Sequence, residues 1–238
     1  MPIDLNGNII SSTSITGSTF SKSIITDGLV LHLDPVNKNS YVGSGANIYD
    51  IAGSNYTGSL TNSPTYSTGS LTLNGSSQYI NMNASAIVPA GASSYSVSTW
   101  VYRTRNNAGA EEVLSQWTTA TSSNAFFFGF NSSNIRFSDN WNNVTVSGAE
   151  TINTWMNIVG VNFGGSNGHI YINGNLMAVK GSALTYTGTG NMIIGRQGEY
   201  SGGEYFSGKI GQILIYNKAL NKGEILNNYY SSKANYGL

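Results

Sequence analysis

Helical periodicity occurs once in this chain, over residues 221–231; elsewhere the apolar residues come in short alternating runs cut off by Gly, Asn and Ser. This pattern limits the fold more than any other feature. A run that alternates with period 2 and stops within ten residues is a strand covered on at least one face. GLVLHLD, residues 28–34, is such a run, with Leu29, Leu31 and Leu33 alternating with Val30 and His32. SYSVSTWVYR, 94–103, reads as a central strand with Val97, Thr99 and Val101 on one face and Trp100 and Tyr102 on the other. EEVLSQW, NAFFFGF, NIRFSD and NVTVSG follow as shorter strands, then TWMNIVGVNF at 154–163, HIYIN, NLMAVK, and NMIIG at 191–195. Asn74–Gly75 and Asn173–Gly174 carry the two-residue hairpin signal. Many short strands with tight turns predict an all-β fold, a two-sheet antiparallel jelly-roll sandwich with a short C-terminal helix.

The stretch Phe206–Leu238 predicts how the sandwich closes. Phe206, Ile210, Leu214 and Tyr216 fall on even positions and are expected on one strand face, with Ile213 and Ile215 on the other. Asn221 and Glu224 have capping-box spacing, and Leu220 can staple onto Ile225. The helix is expected to bury Ile225, Leu226 and Tyr229.

Residues 1–26 differ from the body at 27–238. They are rich in Ser and Thr, with Ile9, Ile10, Ile15 and Phe20 scattered among them. Alone they bury little, so they are expected to form an assembly arm laid on the body or on a neighbouring subunit. No composition shift divides the rest, which predicts one domain plus this arm.

Composition bounds the chemistry. Lys+Arg and Asp+Glu are both 11, so a formal net charge of zero gives no electrostatic case for nucleic acid or an anionic membrane. The absence of cysteine excludes disulfide, thiolate and zinc–cysteine chemistry. MPIDLNGNII has neither the basic segment nor the apolar core of a signal peptide, and no run approaches a membrane span, so a soluble protein is expected.

Glycoside hydrolysis needs two carboxylates facing each other across a cleft. Glu111 and Glu112 are adjacent and would point to opposite faces of a strand; Asp139, Glu150, Glu199 and Glu204 sit in turn-like segments and are expected to be solvated. His32 and His169, the two histidines, lie within strands without triad partners and are expected to be structural. The chain is therefore expected not to be an enzyme, with a glycoside hydrolase the last of the alternatives. Aromatic platforms with Asn and Gln hydrogen bonds are a means of binding sugars. Trp141, Trp117 and Tyr200 lie in polar loops, and with Asn140 and Asn142 they are the candidates for carbohydrate contact; Trp100 and Trp155 lie in strands and are expected in the core.

The order of segments is similar to the laminin-G-like jelly rolls of the concanavalin A-like lectin/glucanase superfamily. The resemblance is carried by GLVLHLDPVNKNSY (28–41), LTNSPTYS (60–67) with LTLNGSSQYINM (71–82), YSVSTWVYR (95–103), Trp155 through HIYINGNL (169–176), IIGR (193–196) and FSGKIGQILIYNKALNKGEI (206–225). It implies the fold and leaves the activity open. Laminin-G-like domains can bind calcium at a loop rim, and the residues here for such an ion are Asp139, beside Asn140 and Asn142, and Asp34; with so few carboxylates no cofactor is expected. The tail from Asn228 to Leu238 resembles versions found in tailed-bacteriophage virion proteins and related bacterial surface proteins. That likeness implies a non-enzymatic virion structural protein, a capsid decoration or tail-fibre component on the phage particle surface. It would be a homo-oligomer binding sister copies or other virion proteins through the arm. The alternative is an extracellular carbohydrate-binding module recognising cell-surface glycans.

Overall fold

The computed structural model describes residues 23–91, 93–105, 109–116, 125–139, 142–148, 151–164, 167–181, 184, 190–198 and 203–238. The first half of the chain supplies β1 (Leu29–Leu33), β2 (Asn47–Tyr49), β3 (Thr57–Thr61), β4 (Thr65–Ser67), β5 (Ser70–Asn74), β6 (Tyr79–Ser85), β7 (Ser94–Arg103) and β8 (Ala110–Gln116). The second half supplies β9 (Phe126–Asn131), β10 (Asn134–Asp139), β11 (Asn142–Val146), β12 (Trp155–Phe163), β13 (Gly168–Ile172), β14 (Asn175–Lys180), β15 (Asn191–Ile194) and β16 (Ser207–Tyr216), then the helix α1 (Lys222–Ser232) and a 3₁₀ turn (Lys233–Tyr236).

The strands form two antiparallel sheets. The first runs β14-β13-β12-β7-β16-β5-β4, and β1 takes the free half of β16 beyond β5; the second runs β11-β10-β9-β8-β15-β6-β3-β2. Between them lies an apolar core that includes Leu31, Leu33, Leu71, Leu73, Val97, Val101, Phe128, Phe130, Phe137, Ile158 and Met192. The all-β jelly-roll expectation is met. Among the described residues no helix is long and apolar enough to cross a membrane.

The register explains two departures from the sequence reading. Asn74–Gly75 does not make a hairpin, because β5 lies in the first sheet and β6 in the second. The Asn74 side chain instead accepts N–H groups from Ser76, Ser77 and Gln78 at 3.0–3.2 Å, and this turn carries the chain across the sandwich. Asn173–Gly174, with φ of +50° and +79°, does close the β13–β14 hairpin.

Strand β16 does not keep the parity that its even-numbered residues suggest. Ile210 pairs with Val101 but Ile213 with Thr99, so the chain gains one residue between them, a β-bulge. Phe206, Ile210, Ile213 and Ile215 all reach the inter-sheet core, while Leu214 and Tyr216 turn outward. The outward residues join Val159, Val161, Tyr171, Leu220 and Ile225 in a second apolar layer beneath α1. Ile24 and Ile25 pack on the same layer; the Asn227 Nδ2 group donates to the Ser23 carbonyl, and the Tyr216 hydroxyl to that of Ile25.

The capping box forms as the spacing predicts. The Glu224 N–H donates to Asn221 Oδ1 at 3.0 Å, and the Asn221 N–H to Glu224 Oε2 at 2.9 Å. Ile225 is buried, whereas Leu226 and Tyr229 are only half-buried; Asn227 and Asn228 fill the inner face, where they bond residues 23–25. The 3₁₀ turn then brings Tyr236 onto the bulge. Its hydroxyl accepts the Gln212 N–H at 2.7 Å, and its ring stacks on Trp100 at 4.3 Å between centroids. Trp100 Nε1 donates to Ser232 Oγ at 2.9 Å, so that buried tryptophan is core, as expected, but core shared with the tail. Trp155 is half-buried beside Tyr236.

Candidate functional site

A cleft of about 390 Å³ opens where the edge of the first sheet, β4, meets the β2–β3 edge of the second. Its walls are Tyr41, Gly43, Ser44, Gly45, Ala46, Leu60, Ser63, Pro64 and Tyr66. The loop after β1 builds one side. Asp34 Oδ1 accepts the Val36 N–H, and the Ser40 hydroxyl accepts the Asp34 N–H while donating to the Tyr49 carbonyl. These bonds hold Tyr41, which is buried and donates its hydroxyl to the Gly45 carbonyl at 3.2 Å. The Tyr41 and Tyr66 rings meet edge to face at 5.4 Å. Burial, and then the nearby Tyr66, push the Tyr41 phenol above its ordinary pKa, so it stays a neutral donor. Gly43 has φ of +97°, and a Cβ there would stand 3.2 Å from the Tyr66 ring. The opposite rim turns at Asn62 and Ser63, whose carbonyls are both held by Gln78 Nε2. Lys38 Nζ sits 5.5 Å from the Tyr66 ring centre. Aromatic faces within a rim of hydroxyls and carbonyls suit a small ligand with one apolar and one polar face.

The other concentration of chemistry surrounds β8. Glu111 and Glu112 point to opposite faces, as their adjacency predicts, and both are fully buried. Glu111 accepts from Arg103 Nη2 at 3.0 Å, from Arg105 Nε at 3.1 Å and from the Ser207 N–H at 2.9 Å, tying the two sheets together. Glu112 faces outward onto Arg136, and Arg136 Nη2 also stands 3.5 Å from Glu204 Oε2. Burial pushes the Glu112 carboxyl up to about 8 against the opposing pull of Arg136. Glu204 is thus an ion-pair member and not the free loop carboxylate expected; its carbonyl accepts the Glu112 N–H at 3.0 Å. Nearby, the Arg196 guanidinium lies 4.2 Å from the Tyr79 ring centre and 6.0 Å from that of Tyr205.

A sequence profile of the concanavalin A-like lectin/glucanases superfamily matches residues 74–226, more than half of the chain. The chain belongs to this superfamily. No curated protein matches it by sequence. Among solved structures it is similar to domain 4 of AbnA, a GH43 extracellular arabinanase from Geobacillus stearothermophilus, in complex with arabinotriose. That match has a TM-score of 0.64 and 15% identity, over 84% of this chain and 98% of that one. It is also similar to the binding domain of botulinum neurotoxin DC in complex with SialylT (TM-score 0.63, 16% identity, 87% of this chain and 52% of that one). The binding domain of Paraclostridial Mosquitocidal Protein 1 matches with a TM-score of 0.64 and 16% identity over the same shares. The chain thus spans about half the length of these toxin domains. At such identities the likeness shows the superfamily's fold.

Of the residues singled out from sequence, Trp117, Asn140, Trp141, Glu150, Glu199 and Tyr200 lie outside the described residues, as do Ile9, Ile10, Ile15 and Phe20 of the arm. Asn142 begins β11 rather than sitting in a loop, and it pairs with Asp139 at the end of β10. Asp34 is buried and occupied: besides Val36, it accepts from Gln212 Nε2 at 3.3 Å, with His32 Nε2 at 3.8 Å. Among the described residues no group of three His, Asp or Glu could hold a metal ion. Residues 35–67 are rich in turn formers, and nothing local sets Tyr41 and Tyr66 apart from Tyr49 and Tyr56 in the same stretch, so the sequence does not mark the cleft.

Proposed function

We propose that the chain is a carbohydrate-binding module whose sugar site is the cleft between Tyr41 and Tyr66. The observation that carries this reading is the crossed tyrosine pair set in a rim of Ser44, Ser63 and glycine backbone, with a volume fit for one or two sugar rings. A ring's C–H face would lie on Tyr66, and its hydroxyls would reach the rim. Support comes from the superfamily and from a similar domain that holds arabinotriose. On this reading the chain is not an enzyme and needs no cofactor, calcium included. A glycan array followed by calorimetry on the best hit tests it. Tyr66→Ala should weaken binding about tenfold or more, the loss of roughly 1.4 kcal/mol of stacking. Unchanged affinity in the folded variant, or no glycan bound by the wild type, would sink the proposal.

A virion structural role is a second reading, with the body at 27–238 displayed outward from a particle and 1–26 as the anchoring arm. It is favoured by one observation: residues 23–25 are fastened to α1 and β16, so the arm leaves from a built seam. Removing residues 1–22 should leave a folded body that no longer joins particles or its sister copies. Unchanged incorporation would refute it.

A further inference from the structure

The chain has four arginines. Arg103 and Arg105 hold Glu111, and Arg136 holds Glu112. Arg196 makes no side-chain hydrogen bond or ion pair among the described residues, although it is half-buried and its Nε is sealed from solvent. The acidic pair Glu112 and Glu204 is committed to Arg136. A guanidinium partly withdrawn from water with no carboxylate bonded to it among the described residues costs stability, and such a group calls for an explanation.

Its surroundings are rigid and shaped. The Arg196 carbonyl is fixed by the Ser115 hydroxyl at 2.9 Å. The preceding Gly195 is bonded through its N–H to the Val113 carbonyl and through its carbonyl to the Phe206 N–H. Tyr79 and Tyr205, 6.5 Å apart, hold the guanidinium from two directions. Its terminal nitrogens, unlike Nε, are not sealed. Beyond Tyr79 the outer face of the second sheet is polar: Leu60 and Ile80 point into the core, so Ser59, Thr61 and Asn81 point out. Asn83 Nδ2 donates to Ser59 Oγ across this surface. The face thus presents a planar cation at one end and a row of hydroxyls and amides leading away from it.

We propose that Arg196, clasped by Tyr79 and Tyr205, binds the carboxylate of an acidic sugar lying across the outer face of the second sheet. The guanidinium fork matches a carboxylate with two parallel N–H···O bonds, and its stacking on tyrosine leaves that edge free to do so. Tyr79 offers a face for the sugar ring, and Asn81, Ser59 and Thr61 take its hydroxyls. This site is separate from the Tyr41–Tyr66 cleft and does not depend on it.

Calorimetry with two pairs of probes tests the assignment: trigalacturonate against its methyl ester, and 3′-sialyllactose against lactose. At least one acid should bind tenfold or more tighter than its neutral counterpart, and which one it is separates a uronate from a sialate ligand. Arg196→Gln should erase that preference, Arg196→Lys should keep part of it, and Tyr66→Ala should leave it unchanged. The wild-type comparison of acid with neutral probe stands even if a variant folds poorly. Equal affinity for acid and neutral forms, no acid binding, or a preference that survives Arg196→Gln in a folded variant would overturn the proposal. Loss of the acid preference on Tyr66→Ala alone would assign the acid to the cleft and overturn it as well.

Discussion

Replacing Tyr236 by Phe removes one oxygen and should destabilise the whole domain. That oxygen is the acceptor for the Gln212 N–H, which the bulge in β16 has taken out of the sheet ladder. Tyr236 is 7% exposed, so water cannot replace the lost acceptor. A buried N–H left without a partner costs about 1–3 kcal/mol. In a domain of this size each kcal/mol lowers Tm by roughly 2–4 °C, so a fall of about 2–12 °C is expected. The ring itself stays stacked on Trp100 and packed against Trp155, so the effect is that of the hydroxyl. Urea denaturation with an unchanged m-value would place the loss in the native state. Tyr236→Ala also removes the ring contacts and should cost about 3–5 kcal/mol. A Tyr236→Phe midpoint within error of the wild type would refute the argument that the hydroxyl completes the bulge.

Two further outcomes follow from the same geometry. The Glu112 carboxyl is raised from an ordinary 4.5 to about 8, so between these values the folded protein holds a proton that the unfolded chain has released. Its stabilising contribution is therefore full below about pH 4.5 and lost as pH rises through about 8, at up to about 1.4 kcal/mol per pH unit; urea melts across that range should show the decline, and Glu112→Gln should flatten it. Asn221→Ala removes the acceptor of the capping box and should cost about 1 kcal/mol by thermal melting, with no effect on either proposed sugar site.

Alternation and turn residues made the strands legible, and the Asn221–Glu224 spacing made the helix start legible, because both are local. What failed was non-local. The parity of β16 changes at Gly211–Gln212, where a glycine Cβ would stand 2.4 Å from the Tyr236 hydroxyl, a residue far along the chain. Nothing near Asn74–Gly75 says that its two strands belong to different sheets, since the turn residues of a crossover and of a hairpin are the same. The burial of Glu112 and the pairing of Glu204 are not legible in the sequence because Arg136, which holds both, comes from a distant strand. The cleft has the same cause: Tyr41, in the loop after β1, and Tyr66, on β4, are brought together only where the two sheet edges meet. In the sequence Arg196 is part of a fold motif, IIGR, and only the three-dimensional arrangement leaves it without a bonded carboxylate among the described residues.

The position of β16 in the first sheet bears on how the chain is made. It separates β7 from β5 and β1, and among the described residues nothing else bridges that gap in the ladder. During synthesis β7 and β5 therefore wait, with unpaired backbone edges open, until residues 207–216 have emerged and the tail has capped the bulge. A chain stalled before this point would carry two halves of a sheet with no centre, so the interval before β16 emerges is when it is most exposed to aggregation and to chaperones.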